Sequence, residues 1–519
     1  MQRRNFENSA INRIDTNKLG DVLGIVERSV NENDKLIMNV SSKYSYNDLI
    51  SRLFIGSYIV VIDSSTNHEV MLRVNKVEGM INSPLSIRGT EATYVRIVGE
   101  FVLTRALDNG SYKYTSFLII PTNGSLVIYP NADTIQEFLG LRGNLLLGKA
   151  SINGHDIPIL IKDKALDKGF LIIGQPGCGK SLLIKKVIRE LYPMEDYKNI
   201  IIFDRTGEYA KHLVENGLNA SILIPLDLMK LNRPIDIDEL RKYIIDKLRI
   251  LGFRNRVRIK MSMSKNDGIE FSVEFSKQGY GKLSVYPLSI RFRWFIERAI
   301  NYLDPEIKYV ITTFMLENDK ALNTVQGFIS AIKDPELLNT IGRSPVNKAM
   351  DLAYSLKSTG YFDAVLNVGG DNIDLSVFSP IRVLKSKLVI FDIHELPESI
   401  INIYETLLIE DIVKWFTGSQ GVRAVMVVDN AEGLMTNDDL LNSVINSIRI
   451  GRIYGVSFII AARSFSRRLH REFGSTIFMR MSNLSSKIRG CHESTNLLNN
   501  EFILVSPWLN VGCIKGLIA

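Results

Sequence analysis

The sequence predicts an α/β protein: a parallel sheet fed by βαβ units, preceded by a small β-barrel and interrupted by a helical insert. Three observations carry this. From Gly169 onward, short apolar runs at 200–204, 388–392, 424–429, 457–461 and 476–480 alternate with helical patterns. Near-continuous apolarity fits strands covered on both faces, and strand–helix alternation implies parallel pairing. Between about 22 and 120 the texture differs, with short alternating segments at 22–26, 53–62, 69–74, 94–98 and 100–103 broken by turn residues. Closely spaced short strands of that kind read as a small barrel. Between 236 and 380 the rhythm breaks again: an alternating segment over 256–286 with a Lys265-Asn266-Asp267-Gly268 turn reads as a β-hairpin, and 290–303 reads as an amphipathic helix.

The most informative segment lies inside the first βαβ unit. Residues 174–181 are Gly174-Gln175-Pro176-Gly177-Cys178-Gly179-Lys180-Ser181, which satisfies the pattern G-x-x-x-x-G-K-[ST] at every fixed position. An apolar strand over 170–173 enters it, and Leu182 begins a helix that leaves it. Strand, glycine loop and helix are the context the pattern needs. The glycines let consecutive N–H groups and the helix N-terminus point at a phosphate. The nine residues from Gly174 to Leu182 are therefore the expected nucleotide contacts, with Lys180 on the β/γ oxygens and Ser181 on Mg²⁺. The expected cofactors are ATP and Mg²⁺.

Composition narrows the class. The 519 residues are 45% hydrophobic and 23% charged, with 63 Lys+Arg against 56 Asp+Glu, a net charge of +7 and a pI near 9.0. This is ordinary for a globular chain, and the mild basicity is compatible with nucleic acid. No apolar run reaches the roughly 18–20 residues of a membrane span, and the first residues lack the apolar core of a signal peptide. The expectation is a cytoplasmic protein without membrane contact. Cys178, Cys491 and Cys513 are too few and too scattered for a disulfide framework or a zinc site, so all three are expected to be reduced. The histidines show no ligand spacing.

A phosphate loop needs an acid at the end of a buried strand to hold Mg²⁺ through water, and a carboxylate to polarise the attacking water. Asp429, after four apolar residues, supplies the first; Asp392 at the end of 388–392 has the same strand-plus-acid shape and is a rival. Asn430 follows Asp429 directly, and an amide can orient a water but not accept its proton. The base role then falls to Glu432, or to Asp204 or Glu208, or else turnover is slow. Asp204 and Glu208 belong to Asp204-Arg205-Thr206-Gly207-Glu208-Tyr209, where a strand ends in an acid and turns at the nucleotide edge of the sheet.

With these pieces in order, the chain resembles the HerA/FtsK superfamily of hexameric ATPases, and HerA within it, over nearly its whole length. The carriers are the connector 139–159, the Asp204–Tyr209 segment, residues 448–456 (Ile-Arg-Ile-Gly-Arg-Ile-Tyr-Gly-Val) and 478–483. The resemblance implies a RecA-like P-loop ATPase core. It implies a HAS-barrel-like N-terminal domain with its connector over 1–145 and the first part of the core over 146–235. The helical insert with its hairpin then covers 236–380, the second part of the core 381–498, and a C-terminal brace on the neighbouring subunit 499–519. It implies a homo-hexameric ring around double-stranded DNA, an ATP-dependent translocase or helicase activity, and a nuclease partner of the NurA type. By position, Lys180 and Ser181 bind phosphate and Mg²⁺, Asp429 is the Walker B acid, and Arg452 is the arginine directed at the neighbour's γ-phosphate. Two departures stand out: Asn430 occupies the catalytic glutamate position, and Arg463 stands where a γ-phosphate-sensing glutamine is expected.

Six basic residues fall between Lys247 and Lys260, among them Arg254, Arg256 and Arg258, and Lys265 follows near the hairpin tip. They are candidates for phosphate contacts, which position DNA without reading it. A solvated basic face is the equal alternative, and a second cluster, Arg463, Arg467, Arg468, His470 and Arg471, is a competing DNA path. Two further functions stay open: a nucleotide-binding ring scaffold with feeble hydrolysis, and a DNA-transfer or packaging ATPase of the same superfamily.

Overall fold

A computed structural model describes residues 16–32, 35–80, 93–231, 235–253, 257–264, 268–275, 277–368, 371–375, 384–418, 421–435, 437–482, 484 and 496–518. The chain divides into two compact units, one of residues 1–163 with 482–519 and one of residues 164–481.

The first unit opens on antiparallel strands β1 (Gly20–Glu32), β2 (Lys35–Ser42), β3 (Tyr58–Ile62), β4 (Glu69–Gly79), β5 (Thr93–Asp108), β6 (Ser111–Thr115) and β7 (Leu126–Pro130). Their order is β2-β1-β7-β3-β4-β5-β6, and an additional β2–β5 pairing closes six of them into a barrel. The expected small barrel is therefore present. Its interior is set by period-two alternation, as in β2, where Leu36, Met38 and Val40 are buried and Ile37, Asn39 and Ser41 are half-buried. Gly24 sits where β1 shifts register, and a Cβ there would lie 2.4 Å from the Ser41 carbonyl oxygen. A helix follows (Ala132–Leu139), capped by the Asn131 side chain and ended by left-handed Gly140. Strands β8 (Leu145–Ile152) and β9 (His155–Ile161) then form a hairpin whose turn, Asn153-Gly154, has both residues at positive φ.

The second unit holds the expected α/β core. Its strands are β10 (Phe170–Ile173), β11 (Tyr197–Asp204), β12 (Ala220–Pro225), β13 (Val257–Ser264), β14 (Gly268–Phe275), β15 (Leu283–Leu288), β16 (Val365–Val368), β17 (Asp371–Asp374), β18 (Leu388–Asp392), β19 (Arg423–Val428), β20 (Val456–Ala462) and β21 (Ser475–Met479). The sheet runs β13-β14-β15-β12-β18-β11-β19-β20-β10-β21, parallel from β15 to β21. Strands β11, β18 and β20 are buried along their whole length or nearly so, as apolar runs covered on both faces require.

The helices of this unit that bear on the site are α1 (Lys180–Leu191), α2 (Tyr209–Glu215), α3 (Glu398–Thr417), α4 (Glu432–Met435) and α5 (Asp438–Ile453). The insert differs from expectation in one respect. The β13–β14 hairpin, expected within the helical insert, pairs through antiparallel β14–β15 and parallel β15–β12, so it extends the main sheet. The free edge of β12 offers an unsatisfied backbone ladder, and β15 fills it. Among the described residues the rest of the insert holds a helix at Ile237–Ile250, the helices from Phe292 to Thr359 and the separate β16–β17 pair, and the expected helix at 290–303 is Phe292–Ala299 followed by a 3₁₀ turn.

The chain ends with β22 (Glu501–Val505) and β23 (Ile514–Leu517) in the first unit, where β23 pairs with β8 at Leu517 and Lys149. Cys178 is free and buried, but Cys513 is disulfide-bonded, which corrects the expectation of three reduced cysteines. Cys491 lies outside the described residues.

Candidate nucleotide site

The loop between β10 and α1 takes the backbone course its glycines allow. Gly177 (φ +72°) and Gly179 (φ +106°) lie in the left-handed region. Gly174 has no room for a side chain, since a Cβ would stand 2.6 Å from the Cys178 Sγ and 2.8 Å from the Met479 Cβ. The loop is tethered on both sides: the Gly174 N–H donates to the Ala462 carbonyl at 3.1 Å and the Gln175 N–H to the Arg480 carbonyl at 2.9 Å. Gln175, Pro176 and Gly177 form an exposed crown over buried Cys178, and Leu182 is partly exposed in the first turn of α1. Lys180 is buried, with its Nζ donating to the carbonyls of Gly174 at 2.8 Å and Gln175 at 3.0 Å. A lysine ammonium inside a glycine loop at a helix N-terminus is an anion-binding arrangement.

The two rival acids part here. The Ser181 Oγ donates to Asp429 Oδ2 at 2.7 Å across 248 residues of sequence. Tyr209 OH donates to the same oxygen at 2.8 Å, and the Asn430 N–H donates to Oδ1 at 2.9 Å. Asp392 instead faces Asp204 across the β11–β18 register and binds the His394 Nδ1. That hydrogen bond is the main reason the imidazole is held above its ordinary pKa. Asp204 works as a local cap: Oδ1 accepts the N–H groups of Thr206 (3.0 Å) and Gly207 (2.8 Å), and Oδ2 accepts that of Tyr209 (3.0 Å). Burial raises the Asp204 pKa and these backbone bonds oppose the rise.

Glu208 is exposed and pairs with Lys185 at 3.1 Å. Glu432 Oε1 accepts the Arg463 N–H, with the Arg463 Nε 3.6 Å away. Arg452, in the last turn of α5, donates to the Glu472 carbonyl. The structure thus brings together the loop, Ser181 and Asp429, groups Glu432 with Arg463, and sets Asp204, Glu208 and Arg452 in contacts of their own.

Two features escaped the sequence reading. Tyr209 is fully buried and desolvation holds its phenol well above the ordinary tyrosine pKa, so it is a donor throughout the working range. The signal was present in the Asp204–Tyr209 segment. The second is Glu405 on α3, fully buried, whose Oε2 accepts Arg205 Nε at 2.9 Å while Arg205 Nη1 donates to Asn402 Oδ1 at 2.9 Å. Among the described residues Glu405 Oε1 has no hydrogen-bond partner, and burial pushes the carboxyl pKa up against the pull of Arg205. A glutamate inside a long helix gives no sequence cue to such a pairing.

Of the basic candidates, Arg258 is exposed, and exposed Lys260 pairs with Glu274 at 2.7 Å. Arg254, Arg256 and Lys265 lie outside the described residues. Lys247 is buried against Glu395, so the cluster's exposed face does not include it. In the second cluster Arg468 pairs with Asp438 at 2.6 Å, while Arg467 and Arg471 are exposed.

A parallel sheet with a glycine loop, its lysine and serine, and a strand-end aspartate bonded to that serine defines a P-loop protein with a RecA-like core. The family described as helicase HerA, central domain, matches residues 145–412, just over half of the chain, and the protein belongs to it. No curated protein matches the chain. Among solved structures, VirB4 of Thermoanaerobacter pseudethanolicus aligns at 13% identity and TM-score 0.44, over 73% of this chain and 96% of that one. The bacterial conjugative coupling protein TrwBΔN70 aligns at 11% identity and TM-score 0.43, over 75% and 92%. Plasmid coupling protein TrwB in complex with ADP and Mg²⁺ aligns at 11% and TM-score 0.39, over 73% and 90%. No helix among the described residues is long and apolar enough to cross a membrane.

Proposed function

We propose that the protein is an ATP-driven translocase or helicase on double-stranded DNA, acting as a homo-hexameric ring with a nuclease of the NurA type in DNA end processing and repair. The observation that carries the chemistry is the Ser181–Asp429 hydrogen bond beside the phosphate loop, in a chain of the HerA central-domain family. A hydroxyl and a carboxylate are an all-oxygen pair suited to Mg²⁺, which is held by one or two protein oxygens together with water and substrate phosphates. When bound, Mg²⁺ neutralises charge on the phosphate oxygens. Lys180 would exchange its two carbonyl acceptors for β/γ oxygens, and the loop amides with the α1 N-terminus would hold the rest of the phosphate chain. Arg452 of a neighbouring protomer would stabilise the γ-phosphate in the ring. The exposed basic residues near the hairpin would track the DNA backbone, a contact that depends on charge and not on sequence.

A second reading has its own support. Asn430 stands where a base is expected and Glu432 is engaged by Arg463, which favours a nucleotide-stabilised ring scaffold with slow hydrolysis. The separating experiment is steady-state phosphate release with and without linear duplex DNA, with Lys180→Ala as control. Turnover that DNA stimulates and Lys180→Ala abolishes supports the translocase. Nucleotide-dependent assembly without DNA stimulation supports the scaffold. A transfer or packaging motor would show DNA stimulation without coupling to a co-expressed nuclease.

A further inference from the structure

Asp429 is held from three separate segments. Ser181 and Tyr209 both donate to Oδ2, at 2.7 and 2.8 Å, and the Asn430 N–H donates to Oδ1 at 2.9 Å. A carboxylate offers about four acceptor sites, so among the described residues three are taken and one remains. The Ser181 hydroxyl is a rotor, and Asn430 fixes only the oxygen next to its own amide. Tyr209 is the rigid member: its ring is fully buried in the first turn of α2, and its N–H donates to Asp204 Oδ2 at 3.0 Å. The turn before it is locked as well, through Arg205 onto Glu405 and Asn402 of α3. The Asn402 side chain also packs against α4, the short helix that begins three residues after Asp429, where a Cβ on Gly433 would stand 2.0 Å from its Oδ1. Helix α3 therefore underlies both the segment that carries Tyr209 and the short helix downstream of Asp429.

Resting on the nucleotide reading above, we propose that Tyr209 is a positioning residue for Asp429. Its phenol sets the direction of the carboxylate, so that the remaining acceptor site faces the water shell of the Mg²⁺ that comes with the nucleotide. Without the phenol, the carboxylate loses its orientation. Partners of this kind, which orient a group at a metal, change metal affinity when removed although they never touch the ion.

The test is Tyr209→Phe, which keeps the ring and its packing and removes only the hydroxyl. Binding of a fluorescent ATP analogue is measured in EDTA and then titrated with Mg²⁺ on the full chain, with thermal unfolding recorded in parallel. The expected result is unchanged affinity in EDTA and an Mg²⁺ midpoint raised about tenfold or more. In an Asp429→Asn background the same substitution should move the midpoint little, because its route to the metal is already cut. Arg205→Lys gives a second route: it retains charge toward Glu405, loses the guanidinium fork onto Asn402 and Glu405, and should shift the midpoint in the same direction by less. An unmoved Mg²⁺ midpoint in folded Tyr209→Phe, or an equal shift with and without Asp429, overturns the proposal. A wild-type chain that binds no nucleotide overturns the nucleotide reading instead, and is recognised because it fails before any substitution is made.

Discussion

Asn430 lies in the left-handed region at φ +57° and gives its N–H to Asp429 Oδ1 at 2.9 Å. Asparagine tolerates that backbone better than most residues, because its short polar side chain bonds locally. The amide in the expected base position thus suits the turn that presents Asp429. Asn430→Glu should destabilise the protein by about 1 kcal/mol from the left-handed penalty and should not raise turnover by the roughly 10²–10⁴-fold of a well-placed base. Urea unfolding and phosphate release check both halves. A hundredfold gain in turnover would show that the missing carboxylate alone limits the chemistry.

Arg452 should act on a neighbour. Arg452→Ala should leave nucleotide binding largely intact while removing hydrolysis, and should cost little stability, because its bond to the Glu472 carbonyl is a single half-buried contact. Mixing it at fixed total concentration with Lys180→Ala subunits should restore some activity, since one interface in a mixed ring then pairs an intact loop with an intact arginine. Mixed rings that form and stay inactive at every ratio would assign Arg452 to its own subunit.

Arg205→Ala strands Glu405, a fully buried carboxylate whose second oxygen has no partner among the described residues. Breaking a buried pair from one side costs about 3–5 kcal/mol, so this should be among the most damaging single changes in the core. The pH dependence follows from the raised carboxyl pKa of Glu405, whose ordinary value is 4.5. The folded state binds the proton more tightly than the unfolded chain, so this group's contribution to stability is full below the ordinary value and is lost as pH rises through the raised one. Removing Arg205 raises the folded pKa further, and the stability deficit should shrink as pH falls toward that ordinary value. Denaturant midpoints at several pH values measure it, and a deficit independent of pH would mean that Glu405 is not the group left exposed to desolvation.

The basic residues near the hairpin should carry DNA affinity without sequence preference. Replacing Arg254, Arg256 and Arg258 together with glutamine should weaken duplex binding and reduce the slope of log K against log salt by about 0.9 per lost phosphate contact. Basal phosphate release should persist. Unchanged affinity and slope would move the DNA path to the exposed residues Arg467 and Arg471.

The phosphate loop was legible because its information is contiguous: the strand 170–173, the glycines, Lys180 and Ser181 follow one another, and local sterics with helix polarity dictate their arrangement. The barrel and the parallel core were legible for a similar reason, since periods of two and continuous apolar runs reflect which faces are covered. The choice between Asp429 and Asp392 was not, because both end buried strands with the same local pattern. Strand order decides which of them lies beside the loop: β19 lies two strands from β10 and β18 lies four, so at about 4.8 Å per strand Asp392 starts roughly 10 Å farther from the loop. The same holds for Tyr209 on Asp429, 220 residues apart, and for Arg205 on Glu405, 200 apart. A sequence records what a residue is and what its neighbours in the chain are. Which buried donor meets which buried acceptor follows from sheet order and helix packing, because a polar group removed from water must find its partner wherever the fold has brought one.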